Sequence, residues 1–304
     1  MPDWNQILNE IKATDTTHDS IRRRYLKKFH QITKRNVIIY YSGWLQKPNL
    51  NEVGVNDADM NGFMTVIHEL DRSKGLDLVL HTPGGNIAAT EAIVNYLRRL
   101  FGNDLRAFVP QLAMSAGTMI ACACKEIFMG EHSSLGPIDP QLSNIPAYGV
   151  VEEFERARQE IRRDPSTIPI WQPILAKYSP TLVGECEKAI KWANAMVIQW
   201  LRTGMFAELK EEAKQQKSED IVEKLADHSL SKTHERHLSA DYCKQIGLKV
   251  HLLESDEKLQ DAVLSVHHTC IHTLGATPAF KIIENHSGKA FIQMAHQVVV
   301  PGKS

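Results

Sequence analysis

Two glycine- and alanine-rich turns contain the residues with the clearest chemical potential. The first, residues 82–86 (Thr-Pro-Gly-Gly-Asn), follows an apolar stretch that predicts a buried strand over 76–81. The second, residues 113–118 (Ala-Met-Ser-Ala-Gly-Thr), follows another predicted strand over 105–109. Two such turns, each opening a helix, bring backbone N–H groups to one point, as stabilisation of an oxyanion requires. Ser115 lies in the second turn, where its hydroxyl could attack a carbonyl held between them.

The elements that position these turns alternate between strand and helix. Strands are predicted over 36–42, 76–81, 105–109 and 126–129, and the intervening patterns predict helices, the last of which begins near Ala116. This alternation favours parallel strands joined by crossover helices, which is an α/β core.

The second half of the chain differs in composition and in predicted secondary structure. A polar, charged segment over 152–164 precedes a long amphipathic helix predicted from Thr181 to Phe206 and a charged helix over 208–224. Gly247 is expected to end a short helix before a strand over 248–253.

Three units follow from this pattern. They are an N-terminal helical segment over 1–35, a main domain over 36–255 with a helical excursion at about 181–224, and a C-terminal extension over 256–304.

Composition narrows the possible functions. The chain has 304 residues and a formal net charge of −1, which suits one substantial core and does not favour nucleic acid or an acidic membrane surface as a partner. The basic run over 22–28 is interpreted as a solvated helix face. Five cysteines without a paired C-x-x-C pattern predict neither a disulfide framework nor a zinc site, so a reducing cytoplasm is the expected location.

No membrane segment is predicted. The N-terminus lacks the basic start and apolar core of a secretory signal. The uncharged stretch over 107–124 contains Pro110, Gln111 and Ser115, so a strand followed by a buried helix explains it better than a bilayer span.

The two turns, together with residues 133–141 (Ser-Ser-Leu-Gly-Pro-Ile-Asp-Pro-Gln), resemble the Clp-protease/crotonase superfamily. More narrowly, the chain resembles the signal-peptide-peptidase-A-like and serine dehydrogenase proteinase families, a match that extends to residues 36–44, 184–188 and 281–286. The resemblance implies a spiral fold of ββα units with appended C-terminal helices. It also implies a serine peptidase that acts on peptides or proteins, uses no cofactor and forms a homo-oligomer.

The resemblance assigns roles residue by residue. Ser115 matches the nucleophile, and the backbone N–H groups of Gly85 and Ala116 match the oxyanion-hole donors. A purely structural interpretation also exists, in which Gly84 and Gly85 form a tight turn with positive φ and Ser115 caps a helix.

The general base is less well defined by sequence. The Clp-type proteases have a histidine downstream of the serine, but residues 136–140 contain none. The peptidase-A-like enzymes use a lysine, and Lys188, which opens the apolar face of the long helix, is the favoured match, with Lys191 interpreted as its exposed neighbour. Lys177, in an apolar stretch after several prolines, is the alternative.

A rearranged catalytic triad is an alternative to the lysine base. It would combine Ser115 with Asp139 and with one of the three histidines His132, His234 or His237.

Metal and nucleotide sites are not predicted. Histidine pairs at helical spacing lack the acidic residue of a His-Glu-x-x-His site, and the turn at 82–86 lacks the ending of a P-loop.

Two other functions remain as hypotheses. A crotonase-like acyl-CoA enzyme would hold a thioester enolate between the paired N–H groups and would need a carboxylate, for which Glu91 and Asp139 are candidates. A non-catalytic scaffold would keep the fold without a base.

Overall fold

A mixed α/β structure is seen in the computed structural model, which describes residues 4–13, 18–142, 145–226 and 236–295. The strands are β1 (Asn36–Ser42), β2 (Leu76–His81), β3 (Leu105–Val109), β4 (Leu112–Ala113), β5 (Glu126–Met129), β6 (Ser134–Leu135), β7 (Gln141–Leu142), β8 (Ile145–Pro146), β9 (Leu238–Ser239), β10 (Val250–Leu252), β11 (Ala279–Asn285) and β12 (Ala290–Met294). The α-helices are α1 (Trp4–Ala13), α2 (His18–Thr33), α3 (Asp59–Ile67), α4 (Ile87–Phe101), α5 (Ala116–Cys122), α6 (Ala147–Arg163), α7 (Ile168–Leu175), α8 (Leu182–Thr203), α9 (Glu211–Ala226), α10 (Ala240–Gln245) and α11 (Glu257–Ala276).

The main sheet has seven strands in the order β10-β5-β3-β2-β1-β11-β12. Neighbours from β10 to β1 are parallel, which confirms the α/β alternation predicted from the sequence. The strands β11 and β12 join the opposite side of β1 as an antiparallel pair. A smaller sheet of β4, β6 and β9 lies beside the second turn, and β7 pairs with β8.

Both faces of the main sheet are covered by helices. Along β1, Ile38 and Tyr40 belong to one core cluster, whereas Ile39 and Tyr41 belong to another, because successive side chains of a strand point to opposite faces. The first core, which underlies the two turns, is closed by α3, α4, α5, α8, α9 and α10. The second is closed by α2 and α11.

The C-terminal segment supplies a buried strand to the main sheet. Every residue of β11 is buried, and the strand lies inside the main sheet between β1 and β12. The sequence of β11 does not alternate between apolar and polar residues, because the strand is covered on both faces and carries two charged residues that are paired inside the protein. The charged segment over 152–164 is largely helical and belongs to α6.

The interpretation of the basic run over 22–28 as a solvated face is wrong for Arg22. Its side chain is fully buried, and its Nε donates to Oε2 of Glu284 at 2.5 Å. A second nitrogen donates to Oγ1 of Thr273 at 3.0 Å. Arg22 thereby joins α2 to β11 and α11, because a buried guanidinium requires a carboxylate and further acceptors around it.

The uncharged stretch over 107–124 forms β3, β4 and α5, as predicted, and every residue of α5 is buried. Within the described ranges, no helix has the length and apolar character needed to span a membrane.

A buried histidine on the second face predicts acid sensitivity. His81 is fully buried against Trp44 and Tyr41, and burial lowers its pKa from 6.5 to about 3. Below about pH 6.5 the unfolded chain therefore binds a proton on His81 that the folded chain excludes. The contribution of His81 to the free energy of unfolding is fully present above that pH and is lost as the pH falls. We expect the free energy of unfolding to fall below pH 6.5, by up to about 1.4 kcal/mol per pH unit from this group.

The measurement is urea unfolding at pH 7.5 and at pH 5 for the wild type and for His81→Phe, which retains an aromatic ring without a titratable group. The difference between the two pH values should be smaller in His81→Phe. His68→Phe, at an exposed position, is the control and should behave like the wild type. Equal pH dependence in all three proteins would contradict the prediction.

Candidate active site

The two turns are joined directly to each other. The N–H of Thr82 donates to the carbonyl of Leu112 at 3.1 Å, and the N–H of Met114 donates to the carbonyl of Thr82 at 3.0 Å. These two bonds form a parallel bridge between Thr82 and Ala113. The turns that the sequence predicts to meet therefore do meet, at the carboxyl end of β2.

Glycine is required where the turns touch. A Cβ atom on Gly84 would lie 2.7 Å from Cβ of Ser115 and 3.1 Å from the backbone nitrogen of Ala116, and the φ of Gly84 is +104°. On the other side of the serine, a Cβ atom on Gly136 would lie 3.1 Å from the backbone nitrogen of Ser115. Any side chain at either glycine would push the serine out of place.

Ser115 has an unusual backbone conformation. Its φ is +49° and its ψ is −110°, at the junction between β4 and the first residue of α5. A non-glycine residue with positive φ is strained, and such strain persists only where the surroundings hold it. Nucleophilic serines on strand–turn–helix elbows have this arrangement, which exposes Oγ at the turn.

The interpretation of Ser115 as a helix cap is not supported by the geometry. Ser115 occupies the N-cap position of α5, but its side chain makes no capping hydrogen bond. The side chain is half-buried and lines a cavity. The hydroxyl is thus presented to the space in which a substrate would bind.

Two backbone N–H groups remain available beside this hydroxyl. The N–H of Gly84 is occupied, because it donates to Oγ1 of Thr82 at 3.2 Å. The N–H groups of Gly85 and Ala116 have no acceptor among the residues that the structure describes, and both residues line the same cavity as Ser115. Donors left without an acceptor at a cavity wall are suited to bind a developing oxyanion.

A third backbone segment completes the wall. The N–H of Val55 donates to the carbonyl of Gly84 at 2.7 Å, and the N–H of Asn86 donates to the carbonyl of Val55 at 2.8 Å. A Cβ atom on Gly85 would lie 2.2 Å from the nitrogen of Val55, so this pairing also requires glycine. This segment is not predicted from the sequence, because an isolated bridge of one residue has no local periodicity that could reveal it.

The cavity has a volume of about 310 Å³ and a mixed lining. Both carboxamide and apolar side chains line it, together with the two N–H groups. The lining includes Asn51, Asn56, Asn86, Gln141, Met119, Ile138 and Asp139. Carboxamides both donate and accept hydrogen bonds, as recognition of a peptide backbone requires.

The two candidate lysines lie elsewhere. Lys188 is exposed on α8 and does not line the cavity, and Lys191, which was interpreted as its exposed neighbour, is also exposed. Lys177 is exposed and lines a second cavity with Leu142 and Ile145. Neither lysine is among the residues that line the cavity of Ser115.

The residues of the alternative triad differ in burial and in position relative to the cavity. Asp139 is buried, lines the cavity and accepts a hydrogen bond from the N–H of Tyr148 at 3.4 Å. His132 is exposed, and its Nε2 lies 2.9 Å from the carbonyl of Pro110. His237 is exposed, and His234 lies outside the described residues.

A metal centre has no visible ligand set in the described ranges. No group of three or more histidine, cysteine, aspartate or glutamate side chains there is placed to hold an ion.

Comparison with known proteins places the chain in a family. Residues 20–263 match the ClpP-like SDH-type serine proteinases, which confirms the resemblance seen in the sequence. An uncharacterized protein of Methanocaldococcus jannaschii is 29% identical over 192 residues, which cover 63% of this chain and 59% of that protein. A second uncharacterized protein of the same organism is 30% identical over 175 residues, which cover 58% and 51% respectively. The chain therefore spans less than two thirds of the length of either relative. Because the family match covers most of the chain and includes both turns, the chain belongs to the ClpP-like SDH-type serine proteinase family.

Proposed function

We propose that this protein is a serine peptidase that cleaves peptide bonds through an acyl-enzyme on Ser115. The observation that carries the proposal is the hydroxyl of Ser115, which makes no capping hydrogen bond and lies on a strained backbone at the wall of a cavity. The same cavity is lined by two residues, Gly85 and Ala116, whose N–H groups have no acceptor among the described residues. Family membership supports the same chemistry and the ββα spiral arrangement.

The proposed reaction follows from these positions. Oγ of Ser115 attacks the scissile carbonyl carbon while a base takes the hydroxyl proton. The carbonyl oxygen becomes an oxyanion that accepts hydrogen bonds from the N–H groups of Gly85 and Ala116. Collapse of the tetrahedral intermediate expels the amine with a proton from the base, and water then hydrolyses the acyl-enzyme.

The cavity supports a peptide as the substrate. Asn51 and Gln141 place exposed carboxamides at the wall, where they can pair with an extended backbone. Met119 and Ile138 supply apolar surface for a side chain.

We expect Ser115 to react with a fluorophosphonate. Intact-protein mass spectrometry after incubation should show one adduct, and peptide mapping should place it on Ser115. Ser115→Ala should form no adduct and should lose peptidase activity by at least about a thousandfold, because the nucleophile is removed.

Ser133, in the neighbouring loop, provides a matched control, since it is buried and does not line the cavity. Ser133→Ala should still be labelled. A folded wild-type protein that forms no adduct would contradict the proposal and favour the scaffold function. Turnover of an acyl-CoA thioester that survives Ser115→Ala would favour the crotonase-like function, for which Asp139 lines the cavity and Glu91 does not.

We propose a lysine as the base on the ground of the family resemblance, and not of the side-chain positions in one copy of the chain, with Lys188 as the first candidate and Lys177 as the second. Replacement of the true base by methionine should slow fluorophosphonate labelling by about a hundredfold or more, since general-base catalysis contributes about 10²–10⁴-fold. Lys191→Met, at an exposed position of the same helix as Lys188, is the control and should react at the wild-type rate. Full reactivity in both Lys188→Met and Lys177→Met would rule out both lysines and move attention to a triad with Asp139.

The oxyanion hole predicts a second sensitive position. Gly85→Ala should reduce the rate of labelling by about 10²–10³-fold, the usual loss for one oxyanion donor. The reason is steric, because the new Cβ would lie 2.2 Å from the nitrogen of Val55 and displace the Gly85 N–H from the cavity. Gly102→Ala is the control, since it also replaces a positive-φ glycine but its Cβ would contact nothing within 4 Å. Equal rates in the two variants would contradict this role for Gly85.

A further inference from the structure

A buried lysine lies directly behind the wall of the cavity. Lys281, on β11, is fully buried, and its Nζ donates to Oδ1 of Asp59 at 2.8 Å. The same Nζ donates to the carbonyl oxygen of Gly54 at 2.8 Å. Gly54 lines the cavity, whereas Lys281 does not, so the lysine reaches the site only through the backbone.

That backbone forms a continuous chain of hydrogen-bonded peptide groups. The carbonyl of Gly54 and the N–H of Val55 belong to one peptide group, and this N–H donates to the carbonyl of Gly84 at 2.7 Å. The carbonyl of Gly84 and the N–H of Gly85 belong to the next peptide group. The far end of this chain is therefore the N–H that faces the cavity beside Ser115.

Hydrogen bonds in series polarise one another, and a charged donor at the start strengthens the effect in a buried setting. An ammonium on the carbonyl of Gly54 draws electron density from the N–H of Val55. The N–H of Val55 then acts in the same way on the peptide group that ends in the N–H of Gly85.

We propose that Lys281 is a positioning residue that strengthens the oxyanion hole, because its ammonium group polarises the two peptide groups that end in the N–H of Gly85. This inference rests on the proposed function of Gly85 as an oxyanion donor.

The surroundings of Lys281 keep its ammonium group in place. Asp59 pairs with it and also accepts hydrogen bonds from the hydroxyl of Tyr40 at 2.7 Å and from the N–H of Asn56 at 3.0 Å. Burial lowers the pKa of Lys281, and the carboxylate of Asp59 opposes that shift. A buried pair with its remaining acceptors satisfied is the setting in which a charge is retained.

Lys281→Met tests the charge, because methionine fills a similar space without an N–H donor. The readout is the reaction with an alkyl fluorophosphonate, separated into the binding constant of the probe and the maximal rate of phosphonylation. The maximal rate should fall by about tenfold, a part of the loss expected when a whole donor is removed, while binding changes by less than about twofold.

Tyr40→Phe is the matched control. It removes a hydrogen bond from Asp59 in the same buried network but leaves the bond from Lys281 to Gly54. The proposal expects near wild-type phosphonylation by Tyr40→Phe. Equal losses of rate in the two variants, or a loss of probe binding alone in Lys281→Met, would overturn the proposal in favour of a general structural role.

A spectroscopic measurement does not depend on activity. Gly84-Gly85 is the one Gly-Gly pair in the sequence, so protein labelled with ¹³C-carbonyl and ¹⁵N glycine gives a single carbonyl–amide correlation, that of the Gly85 amide. In Lys281→Met its amide proton should move to lower frequency, as a weaker donor does, and in Tyr40→Phe it should not move.

These readouts separate the two proposals. If the wild type forms no adduct but the Gly85 amide shifts as expected, the serine peptidase function fails and the polarisation stands. An unmoved Gly85 amide in Lys281→Met would overturn the polarisation whatever the reactivity of Ser115. If Lys281→Met does not fold because Asp59 is left unpaired, Lys281→Met/Asp59→Asn removes both charges and is measured in its place.

Discussion

The candidate site depends on how closely the backbone of Gly84 approaches Ser115. The space between them does not admit even one additional methyl group, since a Cβ on Gly84 would come within 2.7 Å of Cβ of Ser115. This approach sets the distance between a hydroxyl and the adjacent N–H groups. Chemistry at a carbonyl requires that distance to be fixed before the substrate arrives, because reorganisation during the reaction would cost activation free energy. The bridge between Thr82 and Ala113 supplies that fixation.

The strain at Ser115 is maintained by the surrounding packing. Thr118, in α5, accepts a hydrogen bond from the N–H of Gly136 at 3.0 Å through its hydroxyl, which holds the helix against the loop behind the serine. Ala116 is buried, so α5 cannot rotate to relieve the positive φ of Ser115 without opening the core. Stability of the core is thus used to hold a conformation that serine alone would not adopt, as is common at reactive residues.

The sequence predicts the parts of the site that are locally encoded. The positive φ of Gly84, the small residues around Ser115 and the apolar strands before each turn leave signatures within a few residues, and these predictions are confirmed. The segment at Val55 and the burial of Arg22 are not predicted, because their partners lie 29 and more than 200 residues away, and only tertiary structure defines them. Lys188 shows a related limit, since helical periodicity places a residue on a face but does not determine what that face contacts.

The strand β11 forms buried ion pairs with helices or their flanking residues on both faces of the main sheet. Lys281 and Glu284 are three residues apart, so they point to opposite faces of the sheet, where each meets a buried partner of opposite sign. Lys281 pairs with Asp59 beneath the cavity, and Glu284 pairs with Arg22 of α2. A strand that carried only apolar residues would leave Asp59 without its counter-ion and would leave Arg22 paired only with the partly exposed Asp19. The two charges thereby fix the register of β11 against β1, because a slip of one residue would exchange their faces and separate both pairs.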